Sequence, residues 1–550
     1  MPDDAPESSS VAFKPVPAAP HDVVGVDAAL IGRLRDDLES AGFTVGALDA
    51  LWGEEAAAAL FRGQRVAARR AAAPGLVRCE PLAVLATAFV LGLPVAAHAL
   101  ASALPALALE GAWRLGLVAL DEGAEGPADD VLARPLVDLR PYSFDDDGVG
   151  DGWWICSDLG ELALGRALRE DHVLGVGGAS NTLSAIMIRD RVGTALDLGT
   201  GCGIQALHAA RHADRVVATD ISHRALRFAE FNALLNDVHT IEFRQGNLFE
   251  PVAGESFDLI VSNPPFVITP RVAGVPEYEY RDGGLTGDAI VQAVMRGARE
   301  HLKPGGVAQF LGNWEYHGEG EAFDRVRSWL GDEHEAGALD AWIVERELQD
   351  APQYAETWIR DGGTRRGSDE FERLTDAWLD DFAARDVRYV GFGYVTLRRP
   401  ADEQVTLRRL ESVASTGSHE SSGSADGALG SHLARGLRMA RWLASVDDEQ
   451  LGLATLITAA DVTEERHYWP GDDDPTMLAL IQGGGFGRRL KADTALAAFV
   501  GACDGDLPVG VIVGALADLL DVDAAELAAD LLPRVRELVF VGMMDPLGVD

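Results

Sequence analysis

Two apolar runs that end in constrained turns limit most tightly what this chain can fold into. Ala195-Leu196-Asp197-Leu198 reads as a buried strand and runs directly into Gly199-Thr200-Gly201-Cys202-Gly203. Phe257-Asp258-Leu259-Ile260-Val261 reads as a second buried strand and delivers Asn263-Pro264-Pro265-Phe266 to its carboxyl end. Open parallel sheets bind ligands at the carboxyl ends of their strands. The two turns begin 64 residues apart, which leaves room for two further strand and helix units.

From about Gly175 to Pro400 strand-like and helix-like segments alternate, which predicts an α/β parallel sheet. Further strands are expected at Val216–Thr219, Ile241–Arg244 and Val307–Leu311, and helices at Ile204–His212, Arg224–Leu235 and Ala289–Leu302. Ser222 is a good N-cap for the second helix. Ala341–Val344 and Val390–Leu397 complete a sheet of seven strands, the last of them antiparallel.

The flanks read differently. Residues 1–28 are polar and Pro-rich and are expected to be disordered. Residues 29–160 are expected to form a mainly helical, winged-helix-like domain with a β-rich connection at its end, and 161–400 to hold the α/β domain. The Ser/Gly-rich stretch 411–430 reads as a flexible linker. Residues 431–550 read as a second mainly helical, winged-helix-like domain, in which Asp521 or Asp523 caps the last long helix. Pro81–Leu109 carries no charged residue, but Gly92, Pro94 and Pro105 break it into pieces too short to span a bilayer. Two buried Ala-rich helices are expected there. His467-Tyr468-Trp469-Pro470 and Gly483–Arg489 are unusual and carry no evident chemistry; surface turns are expected.

The formal charge is −40. Such a surface repels phosphate backbones and disfavours a nucleic-acid partner. Four scattered cysteines include no CxxC pair, so no zinc site or disulfide framework is indicated and no metal is expected. A cytoplasmic setting is expected, with no signal peptide and no membrane partner.

The turns suggest their chemistry. Glycine lets a backbone bend sharply and approach a ligand closely. A dinucleotide fingerprint requires its third glycine at Ile204, so the pattern here is GxGxG. Asp220 ends the second strand, 23 residues beyond Asp197, where a carboxylate can accept hydrogen bonds from both hydroxyls of a ribose. An amide or exocyclic base nitrogen is a poor nucleophile because its lone pair is delocalised. The Asn263 side-chain carbonyl and the Pro264 backbone carbonyl can each accept one of its N–H bonds, holding it and stabilising the positive charge that develops. Pro265 stiffens the turn, and Phe266 offers a flat face for an amide or a base. Read alone, each signal also fits a plain turn; their order and spacing favour a site.

These residues resemble class I S-adenosylmethionine-dependent methyltransferases, and residues 175–315 are similar to the HemK-type family of release-factor glutamine methyltransferases. The likeness runs through Asp197–Gly203, Asp220, Asn232-Ala233, Asn263–Phe266, and Arg281-Asp282-Gly283-Gly284 with Gly287. It implies a Rossmann-like seven-stranded domain with S-adenosylmethionine as cofactor. Gly199, Gly201 and Gly203 would form the nucleoside loop, Asp197 would support the methionine end, and Asp220 would hold the ribose. Asn247 stands where the family usually has an aspartate facing the adenine amine, and Ile221 and Leu248 would sandwich the ring or belong to the core. Phe266 stands where the family often has tyrosine. The Arg-Asp-Gly-Gly segment would shape the substrate side. Val176–Thr182 would lie over the cofactor or target, or be a plain loop. The implied acceptor is a protein glutamine side chain. The alternatives are an adenine or guanine base of RNA or DNA, and a regulatory protein that only senses the cofactor.

Overall fold

The computed structural model describes residues 23–121, 131–146, 149–164, 168–276, 279–320, 323–335, 337–413 and 428–549. Eight strands form the central sheet: β1 (Val192–Leu198), β2 (Ala213–Asp220), β3 (Ile241–Gln245), β4 (Phe257–Ser262), β5 (Leu302–His317), β6 (Asp340–Asp350), β7 (Val387–Arg398) and β8 (Arg408–Ser412). Their spatial order is β8-β6-β7-β5-β4-β1-β2-β3. The five strands from β3 across to β5 are parallel, and β7 runs antiparallel to both of its neighbours. The strand order reverses between β1 and β4, so their carboxyl ends flank a crevice of the kind that holds ligands in such sheets.

Helices cover the faces: α1 (Gly178–Ile186), α2 (Ile204–Ala209), α3 (His223–Leu235), α4 (Ala289–His301) and α5 (Ala351–Asp361). The Ser222 side chain caps α3 by accepting from the Ala225 N–H. In α4 the residues Ile290, Val291, Val294, Met295 and Ala298 are buried at helical spacing, which gives the helix one face to lay on the sheet. Chain 176–182 is not a plain loop, since α1 begins at Gly178.

The sheet has eight strands rather than the expected seven. β8 pairs parallel to β6 and lies partly inside the expected linker. Ion pairs hold it there: Arg409 binds Glu537, and Glu411 takes the Arg488 guanidinium. The rest of that linker, 414–427, lies outside the described residues. β5 extends to His317, beyond the expected Leu311, because β7 pairs with it along that length.

The amino-terminal part is bound tightly to the sheet domain. Val24 is buried and the Gly25 N–H donates to the Leu115 carbonyl (2.9 Å), so ordered chain begins before Ala29. Arg35 donates to the Leu234 and Leu235 carbonyls (2.7 and 2.9 Å), closing the carboxyl end of α3. A hairpin, Val137–Asp146 with Val149–Asp158, lies along the same helix. Its outer edge is sealed by side-chain amides: Asn232 and Asn236 exchange hydrogen bonds with the backbones of Cys156 and Trp154, all between 2.8 and 2.9 Å. Pro81–Leu85 and Ala97–Ala103 are short helices that bury most of their residues, and no helix among the described residues is long and apolar enough to cross a membrane.

At the other end, Gly483–Arg489 forms the expected turn between two antiparallel strands, exposed at Gly483, Gly484 and Arg489, but one of its side chains leaves the surface. The turn inserts Phe486, buried, against the rings of Trp342 on β6 and His432, at centroid distances of 5.7 and 5.3 Å. Tyr468 and Trp469, by contrast, are exposed.

Candidate functional site

Register places the motifs along one rim. β1 pairs with β4 up to Leu198 opposite Ser262, so Gly199 and Asn263 leave the sheet side by side. β1 pairs with β2 up to Leu198 opposite Thr219, and β2 with β3 up to Asp220 opposite Gln245. The glycine loop, Asp220, the Gly246–Leu248 turn and the Asn263–Phe266 turn therefore converge at the carboxyl edge. The rim is stitched further: the Thr219 carbonyl accepts from the Gly199 and Thr200 N–H groups, each at 2.9 Å, and Ser262 Oγ donates to the Leu198 carbonyl at 2.7 Å.

Gly199, Gly201 and Gly203 all adopt positive φ (76°, 54° and 88°). At Gly203 a Cβ would also lie 3.0 Å from the Ala229 Cα, so this glycine lets α2 start in contact with α3. Asn232 Nδ2, already bound to the hairpin, donates to the Cys202 carbonyl at 2.8 Å and so ties the glycine loop to the amino-terminal part.

Asp197 is fully buried beneath the loop. One oxygen, Oδ2, accepts from Thr200 Oγ1 (2.6 Å) and the Ala206 N–H (2.9 Å). The other has no hydrogen-bond partner among the described residues. Burial pushes its carboxyl up to about 7, against the lowering effect of those two bonds. Asp220 accepts from the Gly201 N–H (2.9 Å) and the Ser222 N–H (2.8 Å), one per oxygen, and burial raises it as well. Each of its oxygens retains a lone pair for another donor. Ile221 is 61% exposed, an apolar shelf at a strand end rather than a core residue. Leu248 is half-buried and takes a φ of +46°, a conformation that costs a non-glycine residue roughly 1–2 kcal/mol. Asn247 beside it is exposed.

Asn263 Oδ1 is buried and has no hydrogen-bond partner among the described residues. The Phe266 ring is buried and tilted against Phe392, at a centroid distance of 5.4 Å. The Arg281–Gly284 segment folds against the turn: the Arg281 carbonyl accepts from the Val267 N–H (3.0 Å), and Asp282 accepts from Thr269 Oγ1 (2.6 Å).

Two contributors carry no signal in the sequence. Tyr354 on α5, buried, accepts at its hydroxyl from the Ile268 N–H (3.0 Å) and from Asn313 Nδ2 (2.6 Å), joining the chain after the turn to β5 and α5. Gln205 donates to the Ser180 carbonyl at 2.8 Å, holding α1 next to the start of α2. These partners lie 25 to 86 residues apart, so no spacing rule links them. An open cleft of about 910 Å³ lies elsewhere, between Gly42–Gly46 and the hairpin residues Tyr142 and Trp154, and contains none of the rim residues.

A family model described as the methyltransferase small domain matches residues 175–322. Two models described as domains of unknown function, DUF7059 and DUF7782, match 40–129 and 434–546. The ribosomal protein uL3 glutamine methyltransferase of Bradyrhizobium diazoefficiens is 34% identical over 193 residues, which are 33% of this chain and 59% of that protein. The release factor glutamine methyltransferase of Xylella fastidiosa is 39% identical over 128 residues, 22% of this chain and 46% of that one. A Methanocaldococcus jannaschii protein, provisionally named a protein N5-glutamine methyltransferase, is 34% identical over 135 residues, 24% of this chain and 67% of its own. The chain belongs to the HemK-type family of class I S-adenosylmethionine-dependent methyltransferases. It spans between 46% and 67% of the length of these relatives.

Proposed function

We propose that this chain methylates a planar amide nitrogen of a protein, the side chain of a glutamine. The observation that carries the reading is Asn263 Oδ1, a buried acceptor with no partner among the described residues, next to the glycine loop at the sheet's reversal point. A buried amide oxygen costs free energy unless a donor reaches it. The N–H of an incoming amide is such a donor, and the Pro264 carbonyl is the natural acceptor for the second.

The rim residues fit S-adenosylmethionine. Asp220 would take the ribose hydroxyls, Ile221 and Leu248 the adenine faces, Asn247 the adenine edge, and Gly199–Gly203 the close backbone approach. The unpartnered Asp197 oxygen suits a donor at the methionine end. When bound, the cofactor supplies an electrophilic methyl on a positively charged sulfur. Asn263 and Pro264 hold the acceptor nitrogen and stabilise the charge that grows on it. Pro264 and Pro265 keep the turn rigid, and Phe266 presents a ring face for the amide plane. Relatives named for glutamine methylation of release factors and of uL3 support the choice of glutamine. The formal charge of −40 supports a protein over a nucleic-acid acceptor.

The test is incubation with labelled S-adenosylmethionine in lysate, with and without ribonuclease, followed by mass spectrometry. Label on a glutamine side chain that survives ribonuclease is expected. Label recovered as a methylated adenine or guanine would replace this reading with the base-modifying one, and binding without any transfer would leave only a sensor.

A further inference from the structure

We propose that the carboxy-terminal region carries a docking surface for a partner protein, which presents an amphipathic helix that is apolar on one side and flanked by Lys and Arg. None of the residues of this surface belongs to the methyl-transfer site. A small sheet there is formed by Asp504–Pro508, Thr455–Thr458 and Met544–Pro546. Beside Gly505, which lacks a side chain, the space a Cβ would fill is bounded by Leu547 Cδ1 at 3.2 Å and Ile457 Cδ1 at 4.0 Å. Leu547 and Ile457 are therefore neighbours, yet they are 51% and 38% exposed.

Leu507 on the same strand as Gly505 is 49% exposed, two residues before the helix Val509–Leu520. That helix buries Val509, Ile512, Val513, Leu516 and Ala517 inward. A surface helix normally turns polar residues to the other side. Here Val511, Ala515 and Leu519 point outward instead, four residues apart and so on one face. Val511 is 53% exposed and Leu519 is 78% exposed. Exposed apolar side chains gathered in one small region mark an interaction site.

Charge decides the occupant. Residues 504–530 contain seven acidic residues and no Lys or Arg. The next cation, Arg534, is already engaged with Asp493 (2.6 Å) and Asp530 (3.2 Å). A second copy of this chain would bring the same acidic rim against itself, which is repulsive. Nucleic acid and anionic membrane are repelled for the same reason. A helix with spaced apolar anchors and basic flanks satisfies both the stripe and the rim.

The test uses the full-length protein and a labelled helical peptide of Leu, Lys and Arg, ordered to be amphipathic, beside a scramble of identical composition. Fluorescence anisotropy should show the ordered peptide binding at least about tenfold more tightly than the scramble, the scale of an interface anchor. Leu519→Asp and Val511→Asp should each weaken it by a similar factor while leaving the circular-dichroism melt unchanged. The added carboxylate would strengthen a purely electrostatic association and weaken one seated on the stripe, so the sign of the change is decisive. Equal binding of the scramble, no binding, or unchanged binding to Leu519→Asp would overturn the proposal. So would light scattering that reveals a dimer dissolved by Leu519→Asp, because the stripe would then be a self-interface.

Discussion

Replacing Asp197 with Asn should change how stability varies with pH, and in a calculable direction. Burial pushes the carboxyl up to about 7 in the folded chain, well above the ordinary aspartate value of about 4. Between those values the folded chain keeps the proton while the unfolded chain releases it. A carboxyl whose pKa is raised on folding therefore contributes its full stability at low pH, loses it progressively as pH climbs from about 4 to about 7, and stays level above. Three units correspond to about 4 kcal/mol at most, at 1.36 kcal/mol per unit. Asparagine has the same shape, and its oxygen can still accept from Thr200 and Ala206. Urea unfolding of both proteins at several pH values isolates the contribution as a difference, so the many other acidic groups cancel. The variant should gain on the natural protein as pH rises through this window, by a few kcal/mol in total. A difference that stays flat within about 1 kcal/mol would refute the claim that Asp197 is protonated in the folded chain near neutral pH.

Three further outcomes are expected. Asp220→Ala should weaken S-adenosylmethionine binding by about 1.5–3 kcal/mol, read by calorimetric titration, because a charge-assisted acceptor is lost; unchanged affinity would remove Asp220 from the ribose role. Asn263→Ala should leave that affinity intact and lower kcat about 10²–10³-fold, while Phe266→Tyr keeps activity and Phe266→Ala loses it; loss of cofactor binding in Asn263→Ala would make the turn structural. Phe486→Ala should cost about 3–5 kcal/mol in denaturant unfolding, as expected for emptying a packed aromatic site, and a near-neutral change would contradict the insertion of this ring beside Trp342. For the same reason, removal of residues 411–550 would bare Trp342 and should lower the stability of the sheet domain.

The sheet domain and its rim were legible because their causes are local. Apolar runs such as Phe257–Val261 call for burial, glycines at 199, 201 and 203 call for positive φ, and an Asn-Pro-Pro turn ends a strand whatever surrounds it. Their order along the chain was enough to align them once the strands were taken as parallel. What the amino acids alone left open rests on partners distant in sequence. Tyr354 behind the turn, Asn232 between hairpin and glycine loop, and the eighth strand held by Arg409 with Glu537 involve pairs 30 to 128 residues apart. A side chain's value as a hydrogen-bond or ion-pair partner depends on what folding brings to it, which composition and periodicity do not encode. Gly483–Arg489 makes the same point: its exposed glycines turn the chain as local chemistry predicts, but Phe486 is buried only because Trp342 and His432 provide its slot.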